Sequence, residues 1–130
     1  MIIVDASCVI ESLLNTPTGG IIAERLFGGT EPLAAPALLD VEACSVLRRY
    51  WLGGQLSTER GREAIDVLQT LPIVRFLHAD LIDRIWQLRA NLKGYDAAYV
   101  ALAEALDAPL ATCDKKLAAA VGRRIHVEVF

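Results

Sequence analysis

The sequence predicts an α/β fold in three layers, with a central parallel sheet and helices on both faces. Short apolar or β-branched runs alternate with longer segments of helical periodicity, and the connections between them are short. The first run, residues 1–4, is wholly apolar, which is typical of a parallel strand buried on both faces. No repeat, low-complexity segment or linker interrupts the pattern, so we expect residues 1–130 to form a single domain.

The first half of the chain is predicted to hold two strands and three helices. In order, these are a strand at 1–4, helices at 8–14 and 21–27, a weak strand at 32–35 and a helix at 36–52. The Gly19–Gly20 pair marks a break between the first two helices. Pro36 suits the first turn of the third helix, because the N–H that proline lacks has no helical partner there.

The second half continues the alternation of helices and strands. In order, the elements are a helix at 58–70, a strand at 73–76, helices at 79–92 and 96–106, a strand at 110–112, a helix at 114–121 and a strand at 125–130. Ser57 is the predicted N-cap of the first of these helices, with Glu59 in its first turn. Apolar residues recur at helical spacing through 79–92, and Gly122 ends the last helix.

Composition and charge narrow the class of protein. Hydrophobic residues make up 54% of the 130 residues, yet no apolar run approaches the roughly 20 residues that a membrane helix needs. The N-terminus lacks a basic start, and Asp5 and Glu11 interrupt its apolar stretch, so we expect a cytoplasmic protein that has no membrane partner. The formal net charge of −3 counts against a protein that merely coats nucleic acid, because such proteins are basic.

The cysteines indicate neither a disulfide framework nor a zinc site. Cys8, Cys44 and Cys113 are odd in number and widely spaced, and no histidine stands near one of them at zinc-binding spacing. We expect all three to be reduced, small and mostly buried.

Acidic residues stand where the predicted elements end or begin. Asp5 directly follows the first strand, and Asp114 follows the strand at 110–112 after one residue. The carboxyl ends of parallel strands form the ligand-binding edge of such sheets, so both carboxylates are expected there. Asp96 and Asp114 also stand at helix starts and could be simple N-caps. Asp5 needs a partner or a metal, because burying an unpaired carboxylate is costly.

Glu42 lies in the middle of a predicted helix, where it cannot cap a helix end. At helical spacing its neighbours include Leu38, Leu39 and Val46, so its side chain projects at the margin of the apolar stripe. An acid at such a position needs a partner, which could be Arg49, a nearby main-chain group or a metal ion. Asp40 points further away and is expected to be exposed or paired with a basic side chain.

Four acids without a nearby histidine or cysteine favour a hard divalent cation. Mg²⁺ and Mn²⁺ prefer carboxylate and water ligands, and the cation would offset the repulsion between the acids. A cation so held can polarise a phosphate and activate water. Ser7 and Thr112 stand two residues from Asp5 and Asp114, where they either orient an acid or are ordinary hydroxyls of a helix start and a strand.

Four motifs in order resemble those of the PIN-domain ribonucleases, and most closely the VapC toxins of toxin–antitoxin pairs. They are V-D-A-S at 4–7, P-A-L-L-D-V-E-A-C-S-V-L-R-R at 36–49, Y-D-A-A-Y-V-A-L-A-E-A-L at 95–106 and L-A-T-C-D-K-K-L at 110–117. The resemblance covers essentially the whole chain. It implies a five-stranded parallel sheet flanked by helices and divalent-metal-dependent cleavage of RNA, often tRNA or ribosomal RNA. It also implies a homodimer and an antitoxin whose tail enters the active-site groove.

The resemblance assigns roles residue by residue. Asp5, Asp96 and Asp114 match acids that coordinate Mg²⁺ or Mn²⁺, and Glu42 matches the acid that binds metal or helps to activate water. Ser7 and Thr112 match supporting hydroxyls. Ser45 stands where many members carry Asn, and it can still form hydrogen bonds. The basic candidates for contact with RNA phosphates, any of which could instead be solvated surface charge, are Arg48, Arg49, Lys115, Lys116, Arg123 and Arg124.

Two other classes of protein remain as alternatives at this point. A receiver-like signalling domain would place an acid after its first strand and a lysine such as Lys115 near the site. Such domains also carry a phosphoacceptor after the third strand, and no aspartate adjoins the strand at 73–76. In a binding protein without catalysis, the four acids would be caps and ion pairs, and Mg²⁺ or Mn²⁺ would not stabilise the fold.

Overall fold

A five-stranded parallel sheet forms the centre of the computed structural model, which describes residues 1–130. Its strands are β1 (Ile2–Val4), β2 (Leu33–Pro36), β3 (Ile73–Phe76), β4 (Leu110–Thr112) and β5 (Val127–Val129). They lie in the order β3-β2-β1-β4-β5, and Ile3 of β1 pairs with Ala34 on one side and Leu110 on the other. The predicted parallel sheet is therefore confirmed, with all five carboxyl ends at one edge.

Seven α-helices surround the sheet. They are α1 (Ala6–Leu13), α2 (Pro17–Ile22), α3 (Leu38–Leu52), α4 (Thr58–Thr70), α5 (Ile82–Gln87), α6 (Gly94–Ala105) and α7 (Lys115–Val121). The helix α6 packs on β1, β2 and β4, whereas α1 packs on α2, α3 and α4. This arrangement confirms the predicted α/β/α layers. None of the helices combines the length and the apolar character that a membrane crossing needs.

The core is most deeply buried in β1 and α6. All three residues of β1 are fully buried, which explains why this strand lacks the polar alternation of a half-exposed one. In α6, residues 97–103 are all buried, and four of these seven residues are alanine. Small side chains let α6 lie close to the three middle strands of the sheet, β2, β1 and β4.

The strand order distinguishes the fold from that of a receiver domain. Receiver domains share the flavodoxin-like order 2-1-3-4-5, in which the first strand lies beside the third. Here β1 lies between β2 and β4, and β3 is at the edge of the sheet. The receiver alternative is therefore wrong, because its phosphoacceptor position after the third strand would lie two strands away from Asp5.

Several element boundaries differ from the prediction. Pro36 is the last residue of β2, where it pairs with Phe76, and α3 begins only at Leu38. The helix predicted over 79–92 is a 3₁₀ turn, Ala79–Leu81, followed by the short α5. Residues 88–92 continue as hydrogen-bonded turns in which Leu88 and Leu92 are still buried. The apolar periodicity therefore predicted the buried residues correctly but overestimated the length of the helix.

The second helix begins four residues earlier than predicted. The Thr16 hydroxyl accepts a hydrogen bond from the Gly19 amide as an N-cap, and Pro17 occupies the first helical position. The glycine pair lies inside α2 instead of breaking it. A Cβ on Gly19 would lie 2.0 Å from the Glu11 carbonyl oxygen, so this glycine allows α2 to approach the backbone of α1. A π-helical turn, Ala23–Phe27, continues the helix.

The cysteines are free, and they differ in burial. Cys8 is fully buried, Cys113 is partly buried, and their sulfur atoms lie 3.8 Å apart. Cys44 is exposed, so the expectation of burial is wrong for this residue. Together with Leu47 and Trp51 it lines an apolar groove between α3 and α4.

Candidate active site

The four acids predicted from the sequence line one pocket of about 380 Å³. Asp5 follows β1, and Asp114 follows β4 after one residue. Glu42 projects from the second turn of α3, and Asp96 from the first turn of α6. The strands β1 and β4 end at the carboxyl edge of the sheet, and the helices α3 and α6 begin there. Residues far apart in sequence therefore meet at this edge. The other residues that line the pocket are Ala6, Ser7, Ile10, Glu11, Val46, Arg49, Tyr50 and Lys93.

Asp5 is held by two hydroxyl groups at the base of the pocket. Its side chain is almost fully buried, and its Oδ2 atom accepts hydrogen bonds from Ser7 Oγ at 2.6 Å and Thr112 Oγ1 at 2.7 Å. These hydroxyls are themselves fixed, since the Cys113 amide donates to Ser7 Oγ and the Asp114 amide donates to Thr112 Oγ1. Ser7 and Thr112 therefore orient the acid, while Asp5 Oδ1 carries no hydrogen bond.

Asp114 and Asp96 differ in the role that each plays at a helix start. Asp114 is the N-cap of α7, and its Oδ1 atom accepts hydrogen bonds from the Lys116 and Leu117 amides. It caps the helix and also lines the pocket. Asp96 caps nothing, because Lys93 occupies the N-cap position of α6. Its Oδ2 atom lies 3.9 Å from Lys93 Nζ, so the capping interpretation fails for Asp96.

Glu42 has a partner that the sequence analysis did not identify. The Tyr99 hydroxyl donates a hydrogen bond of 2.8 Å to Glu42 Oε1, so the partner is neither Arg49 nor the main chain. A signal was present in the sequence, because Tyr99 lies three residues after Asp96 and therefore on the same side of α6. Asp40 behaves as expected and forms an ion pair with Arg75.

The electrostatics of the pocket favour an added positive charge. Burial raises the pKa of Glu42, and the charges of Asp5 and Asp96 raise it further, whereas the Tyr99 hydrogen bond and Lys93 act in the opposite direction. Burial likewise raises the pKa of Asp96, with Lys93 opposing the effect and Asp5 and Asp114 adding to it. The cluster holds its negative charge at a cost that a cation in the pocket would remove.

The chemistry of the donor set fits a hard divalent cation. In each of the four acids one carboxylate oxygen receives no hydrogen bond from the protein, so one oxygen of each is available to a ligand. No three acidic, histidine or cysteine side chains converge closely enough to enclose an ion by themselves. An open arrangement suits Mg²⁺ or Mn²⁺, because Mg²⁺ keeps several of its water ligands and is seldom enclosed by protein groups alone.

The remaining predicted residues lie at different distances from the pocket. Arg49 lines it, whereas Arg48 lines the separate apolar groove between α3 and α4. Ser45 is exposed and does not line the pocket. Lys115 and Lys116 are exposed in the first turn of α7, immediately after Asp114.

Arg123 and Arg124 do not belong to this edge of the sheet. They follow α7 and precede β5, so they lie near the amino ends of the strands, opposite the acids. Together with His126 they border a different cavity. Lys93 lines the acidic pocket and was not among the predicted basic contacts. A lysine three residues before the third acid was the available signal.

Comparisons with known proteins identify the family of the chain. Residues 2–122 match the PIN domain family model. The chain is 44% identical to Ribonuclease VapC1 of Mycobacterium tuberculosis over 129 residues, which cover 98% of this chain and 96% of the relative. It is 38% identical to Ribonuclease VapC12 of the same organism, with 99% and 98% covered.

Solved structures agree at the level of the fold. The Mycobacterium tuberculosis VapC20, described as a sarcin–ricin loop cleaving toxin, has a TM-score of 0.69 at 17% identity, covering 92% of this chain and 95% of that one. FitAcB from Neisseria gonorrhoeae also has a TM-score of 0.69 at 17% identity, covering 98% and 96%. The chain belongs to the PIN-domain family, and its sequence relatives within it are VapC ribonucleases, which confirms the resemblance carried by the four motifs.

Proposed function

We propose that the chain is an endoribonuclease and the toxin of a toxin–antitoxin pair, and that it hydrolyses RNA phosphodiester bonds with Mg²⁺ or Mn²⁺ held by Asp5, Asp96 and Asp114. One observation carries the proposal: four carboxylates from four separate segments meet in a single pocket, each with one oxygen left for a ligand. The relatives that share the sequence over nearly its whole length are named ribonucleases. The proposed enzyme is one PIN domain spanning residues 1–130.

The side chains have distinct tasks in this hydrolysis. A divalent cation, when bound, polarises the phosphate and makes water a better nucleophile. Asp5, fixed by two hydroxyls, and Asp114, fixed by helix amides, hold their carboxylates in place before substrate arrives. Glu42 adds negative charge to the cation site, and its free Oε2 atom can bind the cation or accept the proton of the attacking water. Its raised pKa makes Glu42 a stronger base than an ordinary carboxylate.

The products follow from this chemistry. Water attacks phosphorus in line with the 3′-oxygen, which leaves with a proton, so cleavage generates a 3′-hydroxyl and a 5′-phosphate. Attack by the 2′-hydroxyl would instead give a 2′,3′-cyclic phosphate. That route is typically run by a pair of acid–base groups, whereas His78 and His126 are both exposed and neither lines the pocket.

Basic residues near the pocket are proposed to hold the RNA backbone. Arg49 and Lys93 line the pocket itself, and the exposed Lys115 and Lys116 stand beside Asp114. Contacts to phosphate position a nucleic acid and do not depend on its sequence. A local cluster of this kind would allow RNA binding despite the net charge of −3.

We further propose that a VapB-type antitoxin inhibits the chain and that the chain forms a homodimer. The support is the membership of the family together with exposed apolar side chains on two faces. Trp51 and Leu52 are exposed at the end of α3, and Leu77 and Trp86 are exposed near β3 and on α5. Contiguous exposed apolar patches on a protein surface mark sites of interaction with other proteins.

The test is cleavage of total cellular RNA by the purified chain, with sequencing of the new ends. We expect cleavage with Mn²⁺ or Mg²⁺, none after chelation by EDTA, and products that carry 5′-phosphates. Asp5→Asn should reduce the rate by more than about a hundredfold, while its circular dichroism spectrum stays that of the wild type. Wild-type cleavage by Asp5→Asn, or products that end in a cyclic phosphate, would contradict the proposal.

A further inference from the structure

Tyr99 is a polar residue in the most deeply buried part of the molecule. It is 0% exposed and is among the largest of the fully buried side chains. Burying a hydroxyl is costly unless the group finds a partner, and phenylalanine would fill nearly the same space without that cost. The hydroxyl of Tyr99 therefore has to be explained by its partners, and the one side chain to which it is hydrogen-bonded is Glu42, whose Oε1 atom lies 2.8 Å away.

This contact is what fixes the Glu42 side chain. Glu42 is partly buried, forms no ion pair within 4.0 Å and makes no other side-chain hydrogen bond. Arg49 and Lys93 line the same pocket without bonding to it. A glutamate has three rotatable side-chain bonds, so without Tyr99 its carboxylate would be free to reorient.

The direction of the hydrogen bond is also settled. The Tyr99 hydroxyl is the donor to the Glu42 carboxylate. Burial raises the pKa of Tyr99 and the neighbouring charges of Glu42 and Asp5 raise it further, against a smaller lowering by the backbone of Ala6, so the hydroxyl keeps its proton. It donates that proton to Oε1 and leaves Oε2 as the oxygen that can interact with a ligand. Glu42, Asp5 and Asp96 line the same pocket, so this second oxygen lies in a space that the three carboxylates share.

We propose that Tyr99 is a positioning residue, whose hydroxyl fixes Glu42 so that its second oxygen faces the space shared with Asp5 and Asp96. This inference rests on the proposed function, because it assigns Tyr99 a task in building the cation site. The geometry that carries it is one buried hydroxyl on α6 joined to one otherwise untethered acid on α3.

The test is a double-mutant cycle on Mn²⁺ affinity, measured from the electron paramagnetic resonance signal of free Mn²⁺. Its four proteins are the wild type, Y99F, E42Q and the double variant Y99F/E42Q. Y99F removes one oxygen atom and keeps the ring. We expect Y99F to weaken Mn²⁺ binding about 10- to 100-fold in the wild-type background and less than about twofold in the E42Q background.

Catalysis provides a second readout on the RNA that total-RNA sequencing identifies. Because Tyr99 acts through Glu42 and does not touch RNA, kcat should fall by a similar factor while KM changes less than about twofold. Tyr95→Phe is the matched control. Tyr95 lies on the same helix, is 63% exposed and makes no side-chain hydrogen bond, so this variant should keep the wild-type Mn²⁺ affinity and kcat.

Should Y99F fail to fold, Glu42→Asp tests the same contact from the other side. Aspartate keeps the charge but is one methylene shorter, so it cannot keep both the bond to Tyr99 and its reach into the pocket. We expect a loss of Mn²⁺ affinity that resembles the loss in E42Q. Wild-type affinity in Glu42→Asp would overturn the inference.

The outcomes separate this inference from the proposed function. Unchanged Mn²⁺ affinity in Y99F, or an equal loss in both backgrounds, overturns the role of Tyr99 even if the wild type cleaves RNA. A wild type that binds Mn²⁺ and shows the coupling, yet cleaves no RNA, overturns the ribonuclease and leaves the role of Tyr99 standing. A wild type that binds no Mn²⁺ overturns both.

Discussion

The two halves of the pocket are built differently. The strand-borne half is formed by Asp5, Ser7, Thr112 and Asp114, and the helix-borne half by Glu42, Asp96 and Tyr99. In the strand-borne half, hydroxyl groups and backbone amides make four hydrogen bonds to the two carboxylates. In the helix-borne half, the carboxylates receive one hydrogen bond, and Asp96 has only a distant lysine.

The strand-borne half is therefore fixed before a ligand binds, whereas the helix-borne half depends on its ligand. The donors of the strand-borne half are supplied by β4, the start of α1 and the start of α7, so the acids are oriented by the fold itself. The acids of the helix-borne half have raised pKa values, chiefly because of burial. We therefore expect structural damage from changes in the first half and altered cation and proton binding from changes in the second.

Thr112→Val should show the largest effect, because it breaks the strand-borne half at its centre. Valine has the same shape but removes the donor to Asp5 and the acceptor of the Asp114 amide. Hydrogen bonds to charged groups are worth about 1.5–3 kcal/mol each, and we expect a loss of this size in the free energy of unfolding. Cleavage should fall about 10- to 100-fold. Urea denaturation and initial rates measure the two effects.

The control for this change is Thr30→Val, since Thr30 is exposed and makes no side-chain hydrogen bond. Its free energy of unfolding should remain within about 0.5 kcal/mol of the wild type. If Thr112→Val proves no less stable than Thr30→Val, the strand-borne half is not fixed by its hydrogen bonds.

Gly19→Ala should have the next largest effect by moving the helix that carries Ser7. The new methyl group would meet the Glu11 carbonyl oxygen at 2.0 Å, so α1 and α2 must separate. Forced overpacking costs about 1–3 kcal/mol of unfolding free energy, and the displacement should also slow cleavage. Chemical denaturation with paired rate measurements tests both.

Gly20→Ala is the matched control within the same helix. A Cβ at Gly20 has nothing within 4 Å, so alanine should be neutral or stabilise the fold by about 0.4–1 kcal/mol. Equal stability of the two alanine variants would show that the contact between α1 and α2 does not constrain the site.

Acidification should act on the helix-borne half. Since the pKa values of Glu42 and Asp96 are raised in the folded protein, protons compete with Mn²⁺ at a higher pH than at an ordinary carboxylate. Below its pKa, each carboxylate must lose a proton before it can bind Mn²⁺, so the affinity for Mn²⁺ falls about tenfold per pH unit for each such acid. Isothermal titration with Mn²⁺ at a series of pH values below 7 measures this loss, and an affinity that begins to fall only in the ordinary carboxylate range would contradict it.

The same shifts have the opposite sign for the stability of the metal-free protein. An acid whose pKa is raised on folding binds its proton more tightly in the folded state, so its ionisation lowers stability above the raised pKa. This penalty disappears as the pH falls through the raised pKa toward the ordinary value. Metal-free E42Q should therefore melt at a higher temperature than the wild type at pH 7, with the difference shrinking on acidification.

The strand-borne half was also the half that the sequence predicts best. A continuous apolar run marks a buried parallel strand, and the position after such a strand places Asp5 and Asp114 at one edge without any knowledge of helix orientation. The resemblance to a known family was needed for Asp96, because an acid in the first turn of a helix is ordinary when seen in sequence alone.

The helix-borne half depends on details that periodicity does not resolve. Neighbouring residues on a helix point about 100° apart, so a small error in the placement of α3 decides whether Arg48 or Arg49 enters the pocket. In the sequence, Tyr99 is one more apolar position in an alanine-rich helix. The role of its hydroxyl can be recognised only when the position of α3, which carries Glu42, is known. Gly19 was misinterpreted for a similar reason. Glycine occurs both where a helix is interrupted and where two helices pack closely, and the sequence alone does not distinguish the two cases.

Lys93→Met should produce the smallest effect and isolates the charge that faces Asp96. Its side chain is 70% exposed and its Nζ atom lies 3.9 Å from Asp96 Oδ2, so the pair should contribute less than about 0.5 kcal/mol to folding. If Lys93 also contacts an RNA phosphate, the slope of log affinity against log salt should decrease in magnitude by about 0.7 for a single-stranded RNA.

The control is Arg62→Gln, on the exposed side of α4 and outside the pocket, which should leave that slope unchanged. Fluorescence anisotropy with a labelled RNA at several salt concentrations measures it. Equal slopes for Lys93→Met and the wild type would show that Lys93 interacts with Asp96 and not with RNA. Arg49 would then be the basic residue of the pocket that holds the RNA.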